Sequence, residues 1–221
     1  MVRVRVAATL GKVLPQVLAR VKRVFDLSCQ PQEIVAVLGP WAQSHAGLRL
    51  PGTFDGFELA VRAVLGQQIT VRAATTLAGR FAGAFGDTVT TPYSALQRVF
   101  PSAQTVALRS IGDIAELGII AARARTIRVL AQLIADKKLT LEPSANVEGT
   151  LAALKAIPGI GDWTAQYIAM RALAWPDAFP HTDYGVIKAL NETNAKRVLA
   201  KAEAWRPWRA YAVMHLWNSL E

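Results

Sequence analysis

The stretch Leu154-Lys155-Ala156-Ile157-Pro158-Gly159-Ile160-Gly161-Asp162-Trp163-Thr164-Ala165 decides how this chain is read. Apolar residues at helical spacing lead up to Ile157 and resume after Asp162. Two helices, Thr150 to Ile157 and Asp162 to Leu173, are therefore expected around a tight Pro-Gly-Ile-Gly hairpin. Glycines at 159 and 161 permit positive φ and leave no side chain over the turn. The backbone N–H groups of Gly159, Gly161 and the first turn of the second helix then point outward together. With the helix dipole added, that is an anion site. The carbonyls of Lys155, Ile157 and Ile160 are placed to converge on a monovalent cation, sodium or potassium, bridging to the same anion. Spacing alone fits a plain helix–helix connection equally well, since short glycine-rich turns are common. Asp162 caps the second helix but sets a negative charge beside the anion.

Charge tips the balance. Among 221 residues, 25 Lys and Arg face 16 Asp and Glu, a net charge of +9 on a chain that is 52% apolar and only 19% charged. Such a chain folds and is not a disordered tail, and its partner is expected to be a polyanion, nucleic acid ahead of a membrane surface. The single cysteine, Cys29, rules out an internal disulfide, a four-thiolate zinc site and an iron–sulfur centre. His45, His181 and His215 have no ligand spacing, so no catalytic metal is expected. No apolar run reaches the roughly 18–20 residues of a membrane span, and the N-terminus does not read as a signal peptide. A cytoplasmic protein is expected.

Outward from the hairpin the periodicity is helical almost throughout. Val13, Leu14, Val17, Leu18, Val21 and Val24 give one apolar face, with Lys12, Arg20, Lys22 and Arg23 opposite. Asp55 opens a helix that ends at Gly66, and Thr70 caps an alanine-rich one to about Phe85. Residues 86–103 are broken by Gly86, Pro92 and Pro101, and a longer helix spans about 121–136. Two more are expected near 183–205 and 207–220. Only residues 1–11, where Val2, Val4 and Val6 alternate with Arg3 and Arg5, read as a strand.

The hairpin resembles the helix-hairpin-helix element of DNA glycosylases, which continue with a Gly/Pro-rich loop and an aspartate. Here the continuation is Trp175-Pro176-Asp177-Ala178-Phe179-Pro180-His181-Thr182-Asp183-Tyr184, with Asp183 lying 22 residues beyond Gly161. Within that superfamily the chain is most similar to the 3-methyladenine DNA glycosylase II (AlkA-type) branch. The blocks Val61-Arg62-Ala63-Val64-Leu65-Gly66-Gln67-Gln68-Ile69-Thr70, Trp163-Thr164-Ala165-Gln166-Tyr167 and Trp205-Arg206-Pro207-Trp208-Arg209-Ala210-Tyr211-Ala212 support this. The resemblance covers nearly the whole chain. It implies a mostly α, two-lobed helical bundle: 12–221 as the glycosylase domain with its hairpin at 150–173, and 1–11 as the remnant strand of a β-rich N-terminal domain.

The resemblance further implies a monomeric N-glycosyl hydrolase of base excision repair, acting in the bacterial cytoplasm on nucleoid DNA. It would flip alkylated bases such as 3-methyladenine and other N-alkylpurines from duplex DNA, using no catalytic cofactor. Asp183 would be the catalytic carboxylate beneath an oxocarbenium-like sugar; read from its position alone, it is also an ordinary helix cap. Trp163, Tyr167, Tyr184 and Trp217 would surround a cationic purine with electron-rich rings, though aromatic residues at helical spacing are equally core. Gln68 takes the position of the wedge that fills the gap, and Gln67 would contact a neighbouring base or its own backbone. Gly159, Gly161 and Thr164 complete the DNA-binding set. Bifunctional relatives carry a Schiff-base lysine where this chain has Trp163, which implies base removal without strand cleavage. Trp205 and Trp208 read as packing, while Arg123, Arg125, Arg128, Lys196, Arg197, Lys201, Arg206 and Arg209 offer a phosphate track. A superfamily glycosylase for oxidised, deaminated or mismatched bases, a non-catalytic DNA-binding module and an inactive fragment are the competing readings.

Overall fold

The computed structural model describes residues 2–220, and Met1, first in the expected strand, lies outside them. After a 3-10 turn at Ala8–Val13, the helices are α1 (Leu14–Val24), α2 (Pro31–Leu38), α3 (Pro40–Gln43), α4 (Gly56–Leu65), α5 (Val71–Phe85), α6 (Ala103–Ala107), α7 (Ile111–Ala115) and α8 (Ala121–Ala135). They continue with α9 (Val147–Lys155), α10 (Asp162–Arg171), α11 (Tyr184–Leu190), α12 (Ala195–Ala202), a 3-10 turn at Glu203–Trp205 and α13 (Arg209–Asn218). Side-chain caps set the starts. Asp55 accepts the Glu58 amide at 2.7 Å, Thr70 the Ala73 amide at 3.2 Å and Asn146 the Gly149 amide at 2.7 Å.

Two apolar cores form the two expected lobes. One gathers α4–α9, with Val61, Val64, Phe81, Ile127, Leu130 and Leu154 fully enclosed. The other gathers α2, α3 and α11–α13 around Met170, Phe179, Val186, Tyr211 and Leu216. Helix α10 belongs to both: Ala165 and Ile168 face the first core, Ala169 and Met170 the second, and just past its end Ala172 and Leu173 continue the same division. A helix apolar on both sides is what lets the hairpin at its N-terminus sit at the seam.

Three expectations are corrected. Residues 2–7 form no strand. They run as irregular, mostly exposed chain, because a lone alternating segment has no edge to pair with; among the described residues the only β pairing is an isolated bridge between Thr88 and Arg98. Helix α1 buries only Val21, leaving Leu14 and Leu18 exposed. It is held instead by its basic side, where Arg20 donates to the Phe54 carbonyl at 3.1 Å and Arg23 pairs with Glu142 at 3.3 Å. The single helix expected at 183–205 is two: Asn191 turns left-handed (φ 47°, ψ 46°) to end α11, and Asn194 caps α12 through the Lys196 and Arg197 amides. No described helix is long and apolar enough to cross a membrane.

Candidate functional site

The loop from Ala172 to Thr182 delivers Asp183 to the N-terminus of α11, and this loop is tied down by charge. Asp177, buried, takes a bidentate pair from buried Arg209 (Nε to Oδ1 2.6 Å, Nη2 to Oδ2 2.9 Å) and a further contact from Arg206. Gln166 on α10 accepts the Phe179 amide at 3.0 Å. The same pairing takes Arg206 and Arg209 out of the expected phosphate track: Arg209 is buried, while Arg206 stays exposed with its guanidinium committed to Asp177 and Glu203. Arg123 is likewise spent on the Gln67 carbonyl and Arg128 on the Arg109 carbonyl. Trp205 packs edge-on against Trp41 and Phe179, and Trp208 against Tyr211.

At the end of that loop, Asp183 is half-buried and accepts three N–H groups. Oδ1 takes the Val186 amide at 3.0 Å, closing the helix cap, and the Trp217 indole at 2.7 Å; Oδ2 takes the Trp163 indole at 2.8 Å. The two indoles come from α13 and α10, so the carboxylate is clamped between three helices. Gly185 makes this possible: a Cβ there would lie 2.7 Å from Trp217 Cδ1 and 3.1 Å from Asp183 Oδ1. The only sequence signal for Gly185 was a glycine early in an otherwise helical pattern.

Asp183 opens onto a cleft of about 650 Å³ walled by Gly66, Gln67, Gln68, Gly159, Gly161, Trp163, Thr164, Thr182 and Tyr184. Of the four expected ring residues, Trp163 faces the cleft. Tyr184 stands at its rim, 77% exposed. Tyr167 and Trp217 are not in its wall: Tyr167 stacks behind Trp163 (centroids 5.3 Å apart, planes 6° apart), and Trp217 stands behind the carboxylate.

The Gln67–Gln68 loop and the hairpin are fastened together. Gln67 Nε2 donates to the Gly159 carbonyl at 2.9 Å and to Thr164 Oγ1 at 3.0 Å, so the Gln67 side chain and the buried Thr164 hydroxyl serve each other. Beside it Gln68 holds a left-handed backbone (φ 54°) with its side chain exposed. A non-glycine residue there costs of order 1–3 kcal/mol and persists only where its surroundings over-determine it; the three contacts of Gln67 do so.

In the hairpin, Gly159 has φ 93°, and a Cβ would meet Thr126 Oγ1 at 2.3 Å. Thr126 in turn donates to the Pro158 carbonyl at 2.7 Å, seating the turn on α8. Gly161 is different: its φ is −84°, and a Cβ would touch nothing within 4 Å. Among the described residues, the N–H groups of Gly159, Gly161, Trp163 and Thr164 donate to no acceptor. Asp162 is flanked by Lys155 and His181, its oxygens 3.4 Å from Lys155 Nζ and 3.5 Å from His181 Nδ1. Of the carbonyls expected to hold a cation, Ile157 already accepts the Ile160 amide at 3.0 Å, while Lys155 and Ile160 accept no described backbone N–H. Main-chain oxygens of this kind fit an alkali cation.

A family model described as "HhH-GPD superfamily base excision DNA repair protein" matches residues 61–209. The chain belongs to the HhH-GPD superfamily. A second model, "AlkA N-terminal domain", matches residues 1–55 of this HhH-GPD protein. A probable bifunctional transcriptional activator/DNA repair enzyme AlkA of Mycobacterium tuberculosis is 42% identical over 92% of the chain, and the chain spans only 42% of that relative's length. DNA-3-methyladenine glycosylase 2 of Escherichia coli is 34% identical over 97% of the chain and 75% of its own length. Among solved structures, a 3-methyladenine DNA-glycosylase from Archaeoglobus fulgidus superposes with a TM-score of 0.77 at 21% identity, covering 99% of this chain and 78% of that one.

Proposed function

We propose that this HhH-GPD protein is a monofunctional DNA glycosylase. It flips alkylated purines, 3-methyladenine among them, out of duplex DNA in the bacterial cytoplasm and hydrolyses the glycosidic bond, leaving an abasic site. The observation that carries this is the Asp183 carboxylate, clamped by two indole N–H groups and a helix N-terminus in the cleft between the wedge loop and the hairpin. An isolated helix cap needs only the Val186 amide; two tryptophans from other helices hold a charge in place for another purpose.

That charge suits an oxocarbenium-like transition state. A carboxylate about 4 Å from a developing positive charge, at an effective dielectric near 20, is worth roughly 4 kcal/mol. A carboxylate has about four acceptor positions, and the three N–H donors leave one, on Oδ2, to orient the attacking water or take its proton. Trp163 offers its ring to the flipped base, with Tyr167 stiffening it from behind, and Tyr184 flanks the mouth. With no amine in this wall the sugar is attacked by water, and the strand stays intact. Gln68, pushed out by its left-handed backbone, fills the vacated stack, which offsets part of the few kcal/mol that flipping costs. The unpaired N–H groups at the hairpin bind a backbone phosphate. A sodium or potassium ion held by the Lys155, Ile157 and Ile160 carbonyls would add positive charge there. Residues 12–221 act as one unit, since α10 belongs to both cores, and a single chain carries every group the reaction uses.

The test is incubation of the purified protein with methylated duplex DNA, with released bases separated by chromatography. Free 3-methyladenine and abasic sites that break only after alkali are expected. Binding without release of any base, or strand scission without alkali, overturns the reading.

A further inference from the structure

Helix α10 carries Trp163, Tyr167 and Arg171 four residues apart, hence on one face. The first two are stacked, and the Arg171 guanidinium carbon lies 5.7 Å from the Tyr167 ring centroid. It also lies 6.0 Å from the centroid of Trp217, the ring whose N–H holds Asp183. Arg171 Nη1 is anchored on the Pro51 carbonyl at 2.8 Å, while Nε is buried with no hydrogen-bond partner. Among the described residues, no carboxylate lies within 4 Å of this guanidinium. A buried polar group without a partner is costly, and an aliphatic side chain would fill the same space without that cost. What Arg171 faces is the π-cloud of two rings, which is where a cation is favoured.

Resting on the glycosylase reading, we propose that Arg171 is a positioning residue that sets the charge preference of the base pocket. The aromatic layer behind Trp163 and Asp183 already serves a resident cation. Electron density that would draw an incoming cationic purine is partly committed to the guanidinium, and the two positive charges repel across the rings. The pocket is thereby tempered: it takes cationic N-alkylpurines without rejecting neutral damaged bases of similar shape. Arg171 also pins Tyr167 and Trp217 and so steadies both indoles on Asp183, which acts on every substrate alike. The charge effect discriminates between substrates.

The experiment compares single-turnover release of 7-methylguanine, which is cationic, and hypoxanthine, which is neutral, from otherwise identical duplexes. Wild type, Arg171→Met, Arg171→Gln and Arg171→Lys are measured. Loss of the charge is expected to raise the ratio of cationic to neutral release about tenfold in Arg171→Met, whatever happens to the absolute rates. Arg171→Lys is expected to stay within about twofold of the wild-type ratio. Arg171→Gln retains an amide for the Pro51 carbonyl, and it carries the test should the methionine variant fail to fold. An equal fall for both bases, with the ratio unchanged in the neutral variants, leaves Arg171 a structural residue only and overturns the proposal. Release of neither base by a wild-type protein that frees 3-methyladenine overturns this inference alone, whereas failure to free 3-methyladenine as well overturns the glycosylase reading and this inference with it.

Discussion

At the scale of single residues, the proposed reaction depends on what Asp183 touches. Gly185 is the most exacting position around it, because any side chain there must displace Trp217. Gly185→Ala is expected to cost the Trp217–Asp183 hydrogen bond, a charged bond worth about 1.5–3 kcal/mol. Base excision should fall roughly 10- to 100-fold, while affinity for undamaged duplex stays within about twofold, as read by excision assays and fluorescence anisotropy. Unchanged excision would mean that the indole bond is not used. Asp183 was legible in the sequence because a helix cap is a local signal, one carboxylate three residues before the amide it accepts. Its indole partners stand 20 and 34 residues away on other helices, and no spacing rule reaches that far. The ring residues were named for their faces, whereas Trp163 and Trp217 use their N–H edges on the carboxylate. That difference is one of rotamer, which one-dimensional pattern does not encode.

At the scale of elements, the hairpin holds two glycines present for different reasons. Gly159 is demanded from inside, by a positive φ and the Thr126 hydroxyl; Gly161 has open space where a Cβ would be. Gly159→Ala should therefore lower the melting temperature and weaken DNA binding together. Gly161→Ala should leave stability within about 0.5 kcal/mol of wild type yet reduce the slope of log K against log salt by about one phosphate contact. Calorimetry and salt-dependent binding separate the two, and equal destabilisation by both variants would contradict this account. Helices α4 and α5 were readable because Asp55 and Thr70 cap them next to the residues they govern, whereas the first hairpin helix starts at Val147, three residues before the expected Thr150, because the Asn146 cap was not read. The break at Asn191 was missed although Asn191-Glu192-Thr193-Asn194 is polar and turn-prone, because the apolar period on either side was joined across it. Helix α1 failed in the opposite way: its apolar stripe is real, but helicity does not say which face the rest of the chain will cover.

At the scale of the molecule, the two cores meet along α10, and the loop that carries Asp183 is moored to α13 by Asp177 and Arg209. Removing one member of a buried pair leaves the other uncompensated, at a cost of about 3–5 kcal/mol. Asp177→Asn is expected to lower the melting temperature by roughly 6–20 °C for a chain of this size. Excision measured below the transition should fall as well, since the loop end is released. A shift under about 2 °C would show that the mooring is redundant. None of this network was visible beforehand: Arg206 and Arg209 read as surface cations, and only the fold shows that a buried aspartate receives them. The mostly helical character was legible from periodicity and breakers summed along the chain, whereas the two lobes came only with what the resemblance to DNA glycosylases implies.

The claim on which the rest depends is that the clamped carboxylate stabilises the positive sugar. Single-turnover excision of 3-methyladenine by wild type and Asp183→Asn, with duplex affinity measured in parallel, tests it most directly. The account expects affinity within about threefold, since asparagine keeps the shape and the cap, and excision lower by about 10³, the rate equivalent of roughly 4 kcal/mol. Excision within tenfold of wild type at unchanged affinity would contradict it and place the catalytic charge elsewhere.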